Sequence, residues 1–440
     1  VAHTPLSDNA TGASASRPLS RDDVKTLSLS ALGGALEFYD FIIFVYFATV
    51  IGQLFFPPDM PEWLRQTQTF GIFAAGYLVR PLGGIVMAHF GDLLGRKRMF
   101  TLSIFMMALP TLAIGCLPTY QAIGYLAPLL LVLLRMLQGA AVGGEVPGAW
   151  VFVTEHVQRR HVGLACGTLS AGLAAGILIG SLVSAAMKSH YSAGELAEGA
   201  WRIPFVIGGG FGLIAVYLRR WLRETPVFAE MRERRALAAE LPVKAVLRDH
   251  LGGVLLAMAV SWILTAAIVV VMLMTPPLLA VQYAGLDASL ANVVAILCLI
   301  VGCVVAGWCA DRFGSGPTLI GWSVLLGASY WLMMSVVGQR PDQLMPLYAL
   351  AGFAVGITGA IPAVAVKAFP AAVRFSGLSF SYNVAYAIFG GFTPIIVTTL
   401  MRWYPMSPAI YVAALSVMGI LIGLFLLRTR AGRRLAIMPC

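Results

Sequence analysis

Glu37 and Asp40 lie three residues apart inside one apolar run, so a helix there carries both carboxylates on one face. A second run holds Arg80 immediately before Pro81. A fourth holds Arg135, Gln138 and Glu145, whose offsets of 3 and 10 bring them within about a quarter turn of one another at ~100° per residue. Carboxylates and cations in such surroundings can bind and release a proton. Burial favours the neutral form of a carboxylate and a neighbouring guanidinium the charged form. Moving Arg135 away, or giving it another carboxylate to hold, would therefore switch Asp40 from one form to the other. The same residues would also serve as a static buried ion pair that fixes helix register. Further on, Ser379, Tyr382, Asn383 and Tyr386 stand at offsets of 3, 4 and 7, a polar and aromatic stripe on one helix face. Asn383 can donate and accept hydrogen bonds, and a Tyr bonds at one end and packs at the other. The stripe can line a substrate cavity or glue helices together. Trp262 and Thr265 are further candidates in a seventh run, and Tyr39 lies between the two carboxylates of the first.

The elements that position these residues must be membrane helices. The chain is 59% hydrophobic and 11% charged, against about 25% charged in soluble proteins, which excludes a water-soluble globule. A charge near mid-bilayer costs about 2.5–3.5 kcal/mol on insertion scales, so such residues face a protein interior or a water path and have partners. Twelve spans are predicted, at 27–56, 69–89, 99–118, 124–152, 163–187, 203–222, 252–280, 288–310, 318–338, 345–366, 375–400 and 408–427. They divide the chain into a disordered tail over 1–25, a six-helix bundle over 26–222, a linker with short helices over 223–250, a second six-helix bundle over 251–428 and a tail over 429–440. Arg96, Lys97, Arg98, Arg159, Arg160, the linker arginines and Arg428 to Arg434 all fall on one side. By the positive-inside rule that side is cytoplasmic, with both termini. The net charge of +10 follows from these loops and does not point to nucleic acid. The linker is expected to be helical after Pro226 and to lie against anionic headgroups, a contact with membrane lipid. In the fifth span Gly172, Gly176 and Gly180, with Gly163 and Gly167 at its inner end, mark close backbone packing. The six cysteines fall mostly in apolar runs without zinc-like spacing, and neither a metal site, a cofactor motif nor a catalytic nucleophile is present. No apolar signal-peptide centre occurs in the first 25 residues.

The stretch Gly91-Asp-Leu-Leu-Gly-Arg-Lys-Arg98 forms a tight basic turn between the second and third spans, and Ala310-Asp-Arg-Phe-Gly314 is a weaker copy. Asp311 follows Asp92 by 219 residues, about half of the 440, as in a chain built from two repeats. This spacing resembles the loop between the second and third helices of the major facilitator superfamily, with departures at Ala88 and Leu93 and loss of the basic tail in the second copy. The resemblance implies a latch of Asp and Arg side chains that closes the two halves on the inside, here Asp92, Arg96, Asp311 and Arg312. Glu145 and Arg374 are placed near the same gate. Narrower still, Gly34-Ala-Leu-Glu-Phe-Tyr-Asp-Phe41, Arg80-Pro-Leu-Gly-Gly84, Arg135-Met-Leu-Gln-Gly139, Gly143-Gly-Glu145, Trp201-Arg-Ile-Pro-Phe205, Glu224-Thr-Pro226 and Phe369-Pro-Ala-Ala-Val-Arg374 resemble the metabolite:proton symporter family.

That family carries organic acids, or zwitterions such as proline and betaine. By resemblance Asp40, with Glu37, is the proton site near Arg135, while Arg80 and Arg202 are candidate anion-binding groups. Gln138, Tyr39, Tyr382, Asn383, Tyr386 and Trp262 would complete the substrate site. The expectation is an all-α membrane protein of two six-helix bundles, a monomer in the inner plasma membrane. It would import a small mono-, di- or tricarboxylate with protons by alternating access, without a cofactor. The alternatives are a proton symporter of a zwitterionic osmolyte and a non-transporting sensor of the same fold. The acid is preferred because osmosensing members carry a long C-terminal coiled coil, and no heptads follow Arg434 here.

Overall fold

The computed structural model describes residues 20–94, 96–219, 242–283, 286, 288–401 and 403–429, and long helices follow one another through them. Helix α1 spans Arg21–Tyr46 and continues past Phe47 as the short helix Ala48–Phe55. Then come α2 (Glu62–Leu94), α3 (Arg96–Cys116), α4 (Leu126–His156), α5 (Val162–His190) and α6 (Arg202–Arg219). Helix α7 runs through Leu251–Ala266, Ala267–Met274 and Thr275–Gln282. It is followed by α8 (Ser289–Phe313), α9 (Ser315–Val336) and α10, which comprises Leu344–Val355, Gly356–Gly359 and Ile361–Lys367. Helix α11 comprises Arg374–Ala385, Tyr386–Gly390 and Gly391–Met401, and α12 is Ser407–Arg428.

Among the described residues nine helices are long and apolar enough to cross a membrane alone, and α6 makes a tenth with the segment Ala193–Ala200 that enters it at a 50° bend. Helices α2, of 33 residues, and α3, of 21, complete the expected twelve. Their ends carry charge, which dilutes the apolar signal without shortening the helix. At about 1.5 Å per residue both reach across a ~30 Å hydrocarbon layer.

Two boundaries differ from the sequence prediction. The tail expected through residue 25 gives way to helix at Arg21, because Ser20 and Asp23 form a reciprocal cap. The Ser20 hydroxyl accepts from the Asp23 amide at 3.1 Å, and the Asp23 carboxylate accepts from the Ser20 amide at 2.8 Å. Within the turn expected over 91–98, α2 continues to Leu94 and α3 starts at Arg96, while Gly95 lies outside the described residues. Leu, Arg and Lys favour helix where water can solvate the charges. In the second copy Gly314 alone separates α8 from α9, at a φ of 90° that glycine adopts without steric cost. Of the linker, Pro242–Asp249 is a short helix. The segment expected to be helical after Pro226 lies outside the described residues up to 241, as do 1–19 and the tail after 429.

In the first bundle α2 packs on α4, α1 on α5, and α3 on α4 and α6. In the second, α9 packs on α12, α8 on α10 and α7 on α11. Large apolar side chains such as Leu78, Leu82, Leu129, Leu213, Leu255, Val301 and Leu421 point outward, while Asp40, Arg80, Arg135 and Gln138 are buried. That inversion suits a lipid surrounding. Glycines bring the backbones together. A Cβ at Gly83 would lie 2.2 Å from the Ala140 carbonyl oxygen, and one at Gly139 would lie 2.0 Å from that of Gly76. The fifth-span stripe behaves as predicted and divides its work. Gly172 and Gly176 meet the carbonyls of Ala31 and Ala35 on α1, whereas Gly163 and Gly167 meet those of Gly307 and Cys303 on α8, across the seam between the bundles.

Candidate functional site

Three polar groupings follow the seam from the end that bears the basic loops towards mid-depth. At that basic end, Arg374 donates to Glu155 at 2.9 Å, and both side chains are 0% exposed. This ion pair ties α11 to α4. The Asp311 carboxylate accepts from the amides of Gly163 and Leu164, each at 2.7 Å. It thus caps the first turn of α5, whose unpaired N–H groups and positive dipole end suit an anion. The Phe375 ring wedges between α2 and α4, so close that a Cβ at Gly91 would lie 2.4 Å from it and one at Gly148 2.9 Å. The two bundles are closed here.

Of the expected gate residues, Arg374 and Asp311 join the bundles, Arg312 is exposed, and the side chains of Asp92 and Arg96 lie outside those described. Glu145 accepts from the Ser103 hydroxyl of α3 and so belongs to the interior of the first bundle. Glu155 was not singled out, because its place at the end of α4 beside a basic loop makes a charge cheap, and depth alone gave no signal.

The second grouping surrounds Asp40. The side chain is buried, and neither carboxylate oxygen holds a hydrogen bond. A Cβ at Gly208 would lie 2.4 Å from one of its oxygens and 3.0 Å from the Thr111 methyl, so Asp40 sits against the glycine face of α6 beside α3. Arg135 does not reach it as an ion pair. Its guanidinium donates to Gln138 Oε1 at 2.9 Å and lies 4.2 Å above the Phe44 ring. Gln138 Nε2 donates to Thr111 Oγ1 at 2.7 Å, and that hydroxyl donates to the Met107 carbonyl at 2.9 Å. The expected contact is therefore replaced by a polar chain, Arg135 to Gln138 to Thr111, that ends beside Asp40. Gln138 captures the guanidinium because it stands one turn away on the same face. Thr111 escaped notice as an ordinary helix hydroxyl. Glu37 is buried one turn before Asp40. Tyr39, expected at the substrate site, instead faces α6, donating to the Pro204 carbonyl at 2.9 Å and meeting the Phe211 ring edge-on at 5.1 Å.

The third grouping lies in the seam itself. The Arg80 guanidinium is buried, with its carbon 4.7 Å from the centre of the Tyr386 ring, 5.2 Å from Tyr77 and 5.6 Å from Tyr382. Two of these rings come from α11 and one from α2, so both bundles contribute. Tyr77 stacks parallel to Tyr386 at 6.3 Å, and Trp150 meets Tyr382 edge-on at 5.2 Å. Next to them is a cavity of about 40 Å³ lined by Phe38, Trp150, Tyr382 and Tyr386 together with Ser170 and Thr358 among others. The cavity is narrow and mostly apolar in this closed form. Of the stripe Ser379, Tyr382, Asn383 and Tyr386, the two tyrosines line this cavity. Tyr77, three residues before Arg80 and so on its face, and Trp150 were missed, since an aromatic in an apolar helix carries no depth signal.

The other expected substrate groups lie elsewhere. Asn383 Nδ2 donates to the Gly143 carbonyl at 2.6 Å and Ser379 Oγ does so at 3.2 Å. Trp262 stacks on Phe389 at 3.9 Å and donates to the Tyr411 hydroxyl at 2.7 Å, inside the second bundle. Arg202 donates to the carbonyls of Gly115 and Leu117 at 2.9 and 2.7 Å. It closes the end of α3, whose last carbonyls lack helical partners and attract a cation.

Comparison with known proteins is consistent with this architecture. The family model described as Major Facilitator Superfamily matches residues 42–382. A putative proline/betaine transporter of Staphylococcus aureus (strain COL) is 33% identical over 429 residues, covering 93% of this chain and 90% of the relative. A citrate-proton symporter of Klebsiella pneumoniae is 30% identical over 406 residues, with 91% and 90% covered. Among solved structures, that of the proton:xylose symporter XylE aligns with a TM-score of 0.76 over 92% of this chain and 95% of that one, at 16% identity, a likeness of fold.

Proposed function

The chain belongs to the Major Facilitator Superfamily, a transporter family of integral membrane proteins, and is not an enzyme; from that premise we propose that it is a proton-coupled symporter of a small zwitterion. The observation that carries this reading is the pairing of one buried guanidinium with an aromatic cavity at the seam. Arg80 can hold a carboxylate through charge-assisted, bidentate hydrogen bonds. The faces of Trp150, Tyr382 and Tyr386 can hold a quaternary or secondary ammonium by cation–π attraction, worth about 2 kcal/mol when desolvated. A betaine-like molecule carries both groups a few bonds apart. A tricarboxylate would need cations besides Arg80, and the described residues that line the cavity are all uncharged. The preference for an organic acid expected from sequence therefore yields to the zwitterion, which also fits the proline/betaine relative of S. aureus; the citrate relative keeps the acid as the competing substrate.

Asp40 takes the proton in this account, with Thr111, Gln138 and Arg135 as the polar chain through which its charge is felt. The basic end is cytoplasmic, and the closed seam there is the inner gate of a carrier whose halves rock about the central site.

The test is thermal stabilisation of the purified protein by a panel of glycine betaine, proline, citrate and 2-oxoglutarate. A ligand of the folded state raises the melting temperature by mass action. Betaine or proline should stabilise, and Tyr386→Ala should lose that effect. Stabilisation by citrate alone would return the acid reading. Counter-flow of the stabilising compound in proteoliposomes then separates carrier from sensor.

A further inference from the structure

In two helices of this protein, α4 and α10, a proline leaves a carbonyl at the seam without its helical donor. In α4 the carbonyl of Gly143 would accept from residue 147, but Pro147 has no N–H. In α10 the carbonyl of Thr358, in the 3-10 turn Gly356–Gly359, stands four residues before Pro362, which opens the helix Ile361–Lys367 and likewise has no N–H to give. The two stretches, Val142-Gly-Gly-Glu-Val-Pro147 and Ile357-Thr-Gly-Ala-Ile-Pro362, lie 215 positions apart, with Val142, Gly144, Val146 and Pro147 matched by Ile357, Gly359, Ile361 and Pro362. Both freed carbonyls are filled from the opposite bundle. Asn383 Nδ2 and Ser379 Oγ of α11 donate to Gly143 at 2.6 and 3.2 Å. Ser170 Oγ of α5 donates to Thr358 at 3.1 Å. The donor helices are themselves counterparts, the fifth of each bundle, and the acceptor helices are the fourth of each.

We infer that these two proline-freed carbonyls and their cross-bundle donors form a paired latch that holds the basic-end-closed conformation. The physical reason is that a dry seam tolerates an unpaired carbonyl poorly. Closing without the donors leaves each oxygen without a partner, whereas closing with them satisfies both. On opening, water entering the seam takes the donors' place. The device does not depend on what is transported. It also explains why Asn383, expected to bind substrate, turns its amide to a helix backbone instead.

Cys303 supplies a built-in reporter. It is buried on α8, its carbonyl lies where a Cβ on Gly167 of α5 would be 2.4 Å away, and its Sγ lies 3.4 Å from Thr358 Oγ1 beside the second latch, so its labelling reports the opening of this part of the seam. The full chain with Cys303 as its single thiol, the other five cysteines replaced by Ala, is reconstituted in proteoliposomes and labelled with N-ethylmaleimide. Removing the α11 donors (Ser379→Ala with Asn383→Leu) should speed labelling about fivefold or more. Adding Pro147→Ala on α4 to that variant should bring the rate back to within about twofold of the parent, because residue 147 then gives Gly143 a helical N–H. A purely structural loss at Asn383 would not be repaired from another helix. The mirror cycle, Ser170→Ala with and without Pro362→Ala, should behave alike, and it shares no residue with the first, so misfolding in one leaves the other decisive. Unchanged labelling on removing the donors, or no recovery with the alanine on the acceptor helix, overturns the latch.

Discussion

Asp40 touches a glycine face and a threonine but no cation, an arrangement poorly suited to holding helices together and well suited to gaining and losing a proton. Asn at this position keeps the size and removes the titration. Asp40→Asn is therefore expected to abolish accumulation driven by a pH gradient in proteoliposomes while exchange of labelled for unlabelled substrate persists; full concentrative uptake by this variant would remove Asp40 from proton coupling. Arg80 is the second position where one side chain decides the outcome. Arg80→Ala should weaken substrate binding more than tenfold in calorimetric titration, as expected for losing a hydrogen-bonded charge partner. Unchanged affinity would reassign Arg80 to packing against its three tyrosines. Both residues were legible from sequence, because a charge deep in an apolar run is costly and needs a reason. Their partners were not. Which way Tyr39 and Asp40 face is set by the rotation of α1 against α6, and that rotation depends on packing at Gly208 and Gly212, which no periodicity in α1 encodes.

The helix contacts at the basic end behave as two distinct fasteners. Asp311 caps α5 through backbone amides, while Arg374 and Glu155 make a fully buried ion pair between α11 and α4. Breaking a buried pair by removing one member costs about 3–5 kcal/mol, since the survivor is left charged and unpaired. Arg374→Ala is thus expected to open the basic end strongly, read as faster thiol labelling of Cys303 and a lower melting temperature. The exchange Glu155→Arg with Arg374→Glu should recover a large part of both. A double exchange no better than the single variants would show that packing around Phe369 and Phe375, not the ion pair, holds these helices. Sequence made half of this visible. The repeat of Asp92 at Asp311 pointed to the gate, but the partner proved to be a helix end, which looks like any other N-terminus until two bundles are brought together. The prolines were likewise plain to see, yet their consequence, a carbonyl offered across the seam, exists only once the facing helix is known.

At the scale of the whole molecule, the two bundles meet at the basic end and around Arg80, with a small aromatic cavity in the seam between them. In the proposed symport, substrate and proton cross together as the halves rock, so the charge of the loaded carrier decides which forces act on it. One elementary charge crossing 100 mV gives about 2.3 kcal/mol, and one pH unit about 1.4 kcal/mol. A zwitterion entering with one proton carries a net positive charge. Both forces then act, about 3.7 kcal/mol together, which corresponds to several hundredfold accumulation. A monocarboxylate entering with one proton carries no net charge, so only the pH difference acts, about tenfold per unit. Uptake in proteoliposomes is therefore expected to rise when an inside-negative potassium diffusion potential is imposed at equal pH, and to fall when the potential is collapsed. The measurement separates the two substrate classes without knowing the compound in the cell. Uptake that follows the pH difference and ignores the potential would mean that the site carries a monoanion, and the aromatic wall beside Arg80 would then be packing and not a cation receptor.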